Sequence, residues 1–218
     1  MTREEILENG VYIVLPNSSD SYREYDIDAI KMPLGERYVE WSMNRHHFTT
    51  KYHREKLMPV LAELLHFNFD TSKYHMVEAT SDGFDVSQLY PNDGTLSFNL
   101  WCISDGEKLN KVPYGKIVEN NYTTSDITGF HRLFRYSHKS SVITNNKGGN
   151  GKTLFISGDS NIIPSVPTLC TIFKEVWYID NRVDDVEIYK HLKDVHFDEI
   201  LFELNWNNLD HYTTKNLK

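Results

Sequence analysis

A chain of 218 residues with 39% hydrophobic, 25% charged and 13% aromatic side chains lies in the ordinary globular range, which excludes collagen-like, low-complexity and wholly disordered structures. Its 23 Lys and Arg are outnumbered by 31 Asp and Glu, and the formal charge of −8 is spread along the chain. The sequence therefore offers no concentrated basic face for nucleic acid. The acidic opening, Met1 to Glu8, has neither the basic region nor the apolar run of a secretory leader. No stretch approaches the roughly 18 to 20 apolar residues of a membrane span, so the expectation is a chain without one, resident in the cytoplasm. The 2 cysteines, Cys102 and Cys170, stand in unrelated contexts and read as reduced and buried.

In chain order, Gly10 to Pro16 (GVYIVLP) is a short β-type run closed by the polar cluster Asn17-Ser18-Ser19-Asp20. Thr49 to Phe67 then places Tyr52, Leu57, Val60, Leu61, Leu64 and Leu65 at helical spacing, with Thr49 or Thr50 as a cap. Pro59 inside that pattern demands a kink or a late helix start. Between Asp70 and about Tyr122, β-formers such as Leu96 to Ile103 lie among the turns Asp82-Gly83, Asp93-Gly94 and Asp105-Gly106, which predicts strands and long loops. Lys147 to Thr153 (KGGNGKT) matches the phosphate loop of partitioning-type ATPases. Such a loop works at the start of a helix, whereas here a strand follows, so the stretch reads as a glycine-rich lead-in and not as a nucleotide site.

The last third alternates cleanly. Thr153 to Ser157 is a strand, Ile162 to Phe173 a helix with early prolines, and Glu175 to Ile179 a second strand. Asp184 to Val195 is an amphipathic helix and Glu199 to Leu204 a third strand. Strands and helices joined by short connections predict a parallel sheet with right-handed crossovers. The expected fold class is α/β, a three-layer sandwich around a central, mainly parallel sheet. The whole chain forms one domain, with the strand-helix half at about 150–205 and a mixed insertion at about 70–125.

Chemistry in such sheets sits at the carboxyl ends of the strands. Those ends are Gly158-Asp159-Ser160, Asp180-Asn181-Arg182 and Asn205-Trp206-Asn207. At the first, a glycine permits a tight turn and places the Ser160 hydroxyl at the start of the next helix; against this, Gly-Asp-Ser is also a common turn and cap. Arg182 and Asn205 are placed to donate to an oxyanion with Asn161, although Arg182 can equally pair with Asp184 or Asp185, and Asn205 can be a plain turn residue. A serine nucleophile needs a base. Of the 10 histidines, His66, His75, His191 and His196 read as surface or core residues, whereas His46-His47 stands just before the long helix. No carboxylate or thiolate lies at ligand spacing around that pair, so it reads as a base and not as a metal site. His211 is the rival base. Trp177, Trp206 and Tyr212 flank the presumed crevice and serve either sugar stacking or packing.

From Asn44 to Leu65 and from Lys152 to Leu204, the chain resembles SGNH hydrolase-like proteins of the alginate O-acetyltransferase type. In that family an Asp-x-His-Trp motif opens an upstream helix and a Gly-Asp-Ser strand end follows downstream. Here Arg45-His46-His47-Phe48 falls on the first motif and KTLFISGDSN, Lys152 to Asn161, on the second. The resemblance implies an SGNH-like fold, Ser160 as nucleophile, His47 as base and Arg182 as the family's arginine after the next strand. It implies no cofactor. Arg45 replaces the family's acid and Phe48 its tryptophan, so Asn44, or an acid such as Asp82 or Asp85, would orient His47.

The implied activity is O-acetyl transfer or acetylester hydrolysis through an acyl-enzyme, with Arg182, Asn205 and the amide of Ser160 or Asn161 at the oxyanion. The implied partner is a carbohydrate acceptor or an acetylated glycan. Relatives of this type work outside the cytoplasm, in contrast to the compartment expected from the missing leader. The alternative is a catalytically silent relative that binds glycans or assembles a polysaccharide-synthesis complex.

Overall fold

The computed structural model describes residues 1–15, 42–43, 47–48, 53–77, 80–81, 84–85, 88–92, 98–104, 108–112, 140–159, 161–180 and 192–205. The chain opens with α1 (Arg3–Glu8), held by a capping box. The Glu5 amide donates to Thr2 Oγ1 at 3.1 Å and the Thr2 amide to Glu5 Oε2 at 2.7 Å. Strand β1 (Val11–Leu15) follows, then the small antiparallel pair β2 (Ser42–Met43) and β3 (His47–Phe48). The expected upstream helix begins with a π-type turn, His53–Leu57, and continues as α2 (Met58–Leu64). Pro59 stands in the first turn of α2, where its missing N–H costs nothing, so the kink and the late start occur together. The capping residues Thr49 and Thr50 lie outside the described residues.

A 3₁₀ turn at Thr71–Lys73 leads into β4 (Tyr74–Val77), β5 (Thr80–Ser81), β6 (Phe84–Asp85) and β7 (Gln88–Pro91). Strand β4 pairs antiparallel with β7, and β5 with β6 across Asp82-Gly83. The long strands β8 (Phe98–Ser104), β9 (Lys108–Val112) and β10 (Ser140–Asn145) come next. Last are β11 (Thr153–Gly158), a 3₁₀ turn Ile163–Ser165, α3 (Val166–Ile172), β12 (Glu175–Asp180) and β13 (Glu199–Asn205).

One 7-stranded sheet organises these elements in the order β1-β13-β11-β12-β10-β8-β9. Strands β1, β13, β11 and β12 are mutually parallel, and β10, β8 and β9 extend the sheet by antiparallel pairs. This is the expected α/β sandwich. The segment 70–125 thus supplies β8 and β9, one edge of the main sheet, which its mixed sequence pattern did not disclose.

Both faces of the central strands are covered, so these strands are nearly continuous apolar runs. On one face Ile6 of α1, Phe155, Trp177, Ile179, Leu192, Phe197, Ile200 and Phe202 form a buried cluster. Side chains alternate across a strand, so Leu154, Ile156, Val176, Tyr178 and Leu201 belong to the other face. Val166, Leu169 and Cys170 of α3 are buried outside that cluster, and Phe67 beyond α2 meets Phe173 edge-on at 5.5 Å. The helix expected over Asp184 to Val195 is described only from Leu192, which is sealed in the core.

The glycine-rich stretch is a tight turn between β10 and β11. Its amides are turned inward: Gly148 donates to Asn145 O, Asn150 to Ile172 O, Gly151 to Gly148 O and Lys152 to Asn150 Oδ1. A Cβ on Gly149 would sit 2.4 Å from Ile172 O. Gly149 serves close backbone packing, and Gly148 and Gly151 supply the positive φ of 82° that the turn requires.

Candidate active site

The register brings three carboxyl ends together. Gly158 of β11 pairs with Asp180 of β12, while Asn205 of β13 pairs with Leu15 of β1. Strand β11 is also where the chain order reverses, since the next strand lies on one side of it and the following one on the other. Crevices in open α/β sheets form at such a switch point.

Four polar side chains are buried at or beside this end of an otherwise apolar sheet: Ser157, Asp159, Asn161 and Glu203, the last with no exposed surface. Two of them, Asp159 and Glu203, accept backbone amides of the turn. The Asp159 amide donates to Glu203 Oε2 at 2.8 Å, and the Asn161 amide to Asp159 Oδ1 at 2.7 Å. Tyr178 Oη donates toward Gly158 O at 3.1 Å and Asp159 O at 3.4 Å. A Cβ on Gly158 would stand 2.6 Å from Ile162 Cγ2 and 3.0 Å from Glu203 Oε2, so the turn admits no side chain there.

The sequence-derived residues divide as follows. His47 is in β3, opposite Met43. Asn161 follows the β11 turn, and Asn205 closes β13. Ser160, Asn44, Arg45, Arg182 and the rival base His211 lie outside the described residues, as do Trp206 and Tyr212. Two expectations change. The helix after Ser160 begins with a 3₁₀ turn at Ile163, and α3 starts only at Val166, because Pro164 and Pro167 each occupy a first-turn position. The backbone next to Ser160 is therefore a hydrogen-bonded turn and not the first turn of a regular helix. Trp177 is a packing residue: it is 6% exposed, meets Phe197 edge-on at 5.9 Å and donates Nε1–H to Glu175 at 2.6 Å.

A further contact ties the upstream segment to the downstream one. His53, in the π-type turn, hydrogen-bonds through Nδ1 to Ser165 Oγ at 2.7 Å, and both side chains are 1% exposed. His53 lies six residues after His47, and Ser165 five residues after Ser160. The pair is too deeply sealed to meet a substrate and acts as a clasp between the two motif-bearing segments. On α3, burial pushes the Cys170 thiol well above its ordinary range, which makes it inert. Among the described residues no helix is long and apolar enough to cross a membrane, and no three His, Cys, Asp or Glu side chains are grouped to hold a metal ion.

No family model matches this chain, and no curated protein matches it. Solved structures do. A structure of Bacillus cereus PatB1 with a sulfonyl adduct superposes with a TM-score of 0.59 at 16% identity, covering 94% of this chain and 86% of that one. A DHHW family protein from Eubacterium siraeum superposes at 0.58 with 14% identity, covering 94% of this chain and 82% of the other. At such identities the likeness establishes a shared fold.

Proposed function

We propose that this chain is a serine-dependent acyl-transfer enzyme of SGNH-like type that transfers or hydrolyses acetyl groups on a glycan. The observation that carries the reading is the anchored turn Gly158-Asp159 at the switch point of the sheet, immediately before Ser160 in the sequence. Two further points support it. The PatB1 neighbour bears a sulfonyl adduct, a group that bonds covalently to activated nucleophiles. Read as residue letters, the DHHW name parallels Arg45-His46-His47-Phe48, where both histidines are kept.

In this mechanism His47 removes the Ser160 proton as Oγ attacks the acyl carbonyl carbon. Arg182, Asn205 and the Ser160 amide receive the oxyanion, where loss of one donor costs about 2.7–4 kcal/mol of transition-state stabilisation. The Asn161 amide is already committed to Asp159, so the backbone donor of this mechanism is the Ser160 amide. Collapse expels the donor alkoxide, which takes the proton from His47. Water or a sugar hydroxyl, deprotonated by the same imidazole, then attacks the acyl-serine, and collapse expels Oγ, which takes the proton back from His47. Asn44, at the start of the connection between β2 and β3, orients His47 in place of the missing acid.

A second reading has its own support, since Arg45 and Phe48 depart from the motif: a silent relative that binds glycans or assembles a synthesis complex. Hydrolysis of an aryl acetate separates the two. The acyl-transfer reading expects turnover and labelling by a fluorophosphonate, both lost in Ser160→Ala. Undiminished turnover in that variant refutes it, and sugar binding without turnover or labelling selects the silent relative.

A further inference from the structure

The group that braces the turn before Ser160 is a buried acid 44 residues away in sequence. Glu203 lies on β13, one position beyond Phe202, the register partner of Ser157, which sets it beside Gly158. Its side chain has no exposed surface, and Oε2 accepts the Asp159 amide at 2.8 Å. An acid within a strand covered on both faces is costly, and its retention calls for a partner that apolar packing cannot replace. One partner here is the amide of Asp159 in the turn. Gly158 completes the fit, because a Cβ there would stand 3.0 Å from Glu203 Oε2 and crowd it.

The other contacts at the turn are weaker restraints. Tyr178 Oη reaches the Gly158 and Asp159 carbonyls at 3.1 and 3.4 Å, and Ile162 donates to Asp159 O at 3.3 Å. Asp159 Oδ1 holds Asn161 from within the turn itself, which shapes the loop without fixing it to the sheet. At 2.8 Å the bond from the Asp159 amide to Glu203 Oε2 is a short link between turn and sheet.

We infer that Glu203 is a positioning residue for the nucleophile: its side-chain oxygen holds the Asp159 amide, in the residue that immediately precedes Ser160 in the sequence. The inference rests on the acyl-transfer reading, and it assigns Glu203 a geometric role and no contact with substrate. A displacement of about 1 Å at a reacting group costs on the order of 100-fold in rate, which sets the expected size of the effect.

The test uses the full chain with two substitutions that separate reach from charge. Glu203→Gln keeps the length and an acceptor oxygen but loses the charge; Glu203→Asp keeps the charge but withdraws the oxygen by one methylene. Each is read by fluorophosphonate labelling at Ser160, by kcat and KM for an aryl acetate, and by hydrogen exchange of the Asp159 amide. The positioning role expects Glu203→Gln within a fewfold of the parent. It expects Glu203→Asp to lose about 100-fold in labelling rate and kcat at unchanged KM, with faster exchange at Asp159. Glu203→Gln as slow as Glu203→Asp, or Glu203→Asp as fast as the parent despite faster exchange, overturns it. A parent protein that is never labelled at Ser160 fails the acyl-transfer reading instead, and the exchange data still report whether Glu203 holds the turn.

Discussion

Gly158→Ala tests the geometry of the turn most simply. The added methyl would lie 2.6 Å from Ile162 Cγ2 and 3.1 Å from Glu203 Cβ. Neither atom is the end of a flexible chain, and Ile162 has no exposed surface into which to move. Overpacking of this kind costs about 1–3 kcal/mol. Ile162→Ala removes the atom in closest conflict and by itself opens a cavity worth about 2–5 kcal/mol. In the double variant the new methyl occupies part of that cavity. The combined cost is therefore expected to fall short of the sum by at least about 1 kcal/mol, within the range for residues in contact. Urea unfolding of the four proteins gives this coupling from the midpoints, provided the m-value is constant. Additivity within about 0.5 kcal/mol refutes the contact and with it the claim that the turn has no room for a side chain.

Ser165→Ala strands the buried His53 Nδ1 and is expected to cost about 1–3 kcal/mol in the same assay; a loss below about 0.5 kcal/mol would deny the clasp. Gly148→Ala and Gly149→Ala both place a side chain at positive φ, 82° and 47°, at about 1–2 kcal/mol each. Gly149→Ala alone meets backbone, so it is expected to be worse by at least about 1 kcal/mol, and equal losses would contradict the turn as described. Cys170 gives a pH test. Its folded thiol is held far above its ordinary pKa, so the stability it contributes is complete below about pH 9 and erodes as pH rises, by about 1.4 kcal/mol per unit. Stability relative to Cys170→Ala is thus expected to fall between pH 9 and pH 11, and a constant difference would refute the burial argument.

The parallel half of the fold is legible in the sequence because TLFIS, EVWYI and EILFEL are apolar runs of strand length separated by helix-length segments. The antiparallel half is harder to read. β8 pairs with β9, its neighbour in sequence, but also with β10 far downstream, and nothing in FNLWCIS names that second partner. At the site, the glycine of the turn and the polar strand ends follow from local pattern alone. The helix start after Ser160 does not, because Pro164 and Pro167 can each begin a helix and only tertiary packing decides which turn becomes regular. Glu203 is half legible: an acid inside EILFELN stands out as costly, but its amide partner 44 residues upstream is set by sheet register. The His53 clasp is not legible at all, since an inward histidine and an inward serine leave no shared signature when 112 residues separate them.

The central claim is that the hydroxyl at position 160 forms a covalent acyl intermediate. Its most direct test is rapid acid quench of the protein during turnover of an aryl acetate, followed by peptide mass analysis. The account predicts a gain of one acetyl group on the peptide that contains Ser160, absent from Ser160→Ala and formed far more slowly when His47 is replaced by Ala. Steady turnover with no acetylated serine, or with the acetyl group on a different residue, would contradict it.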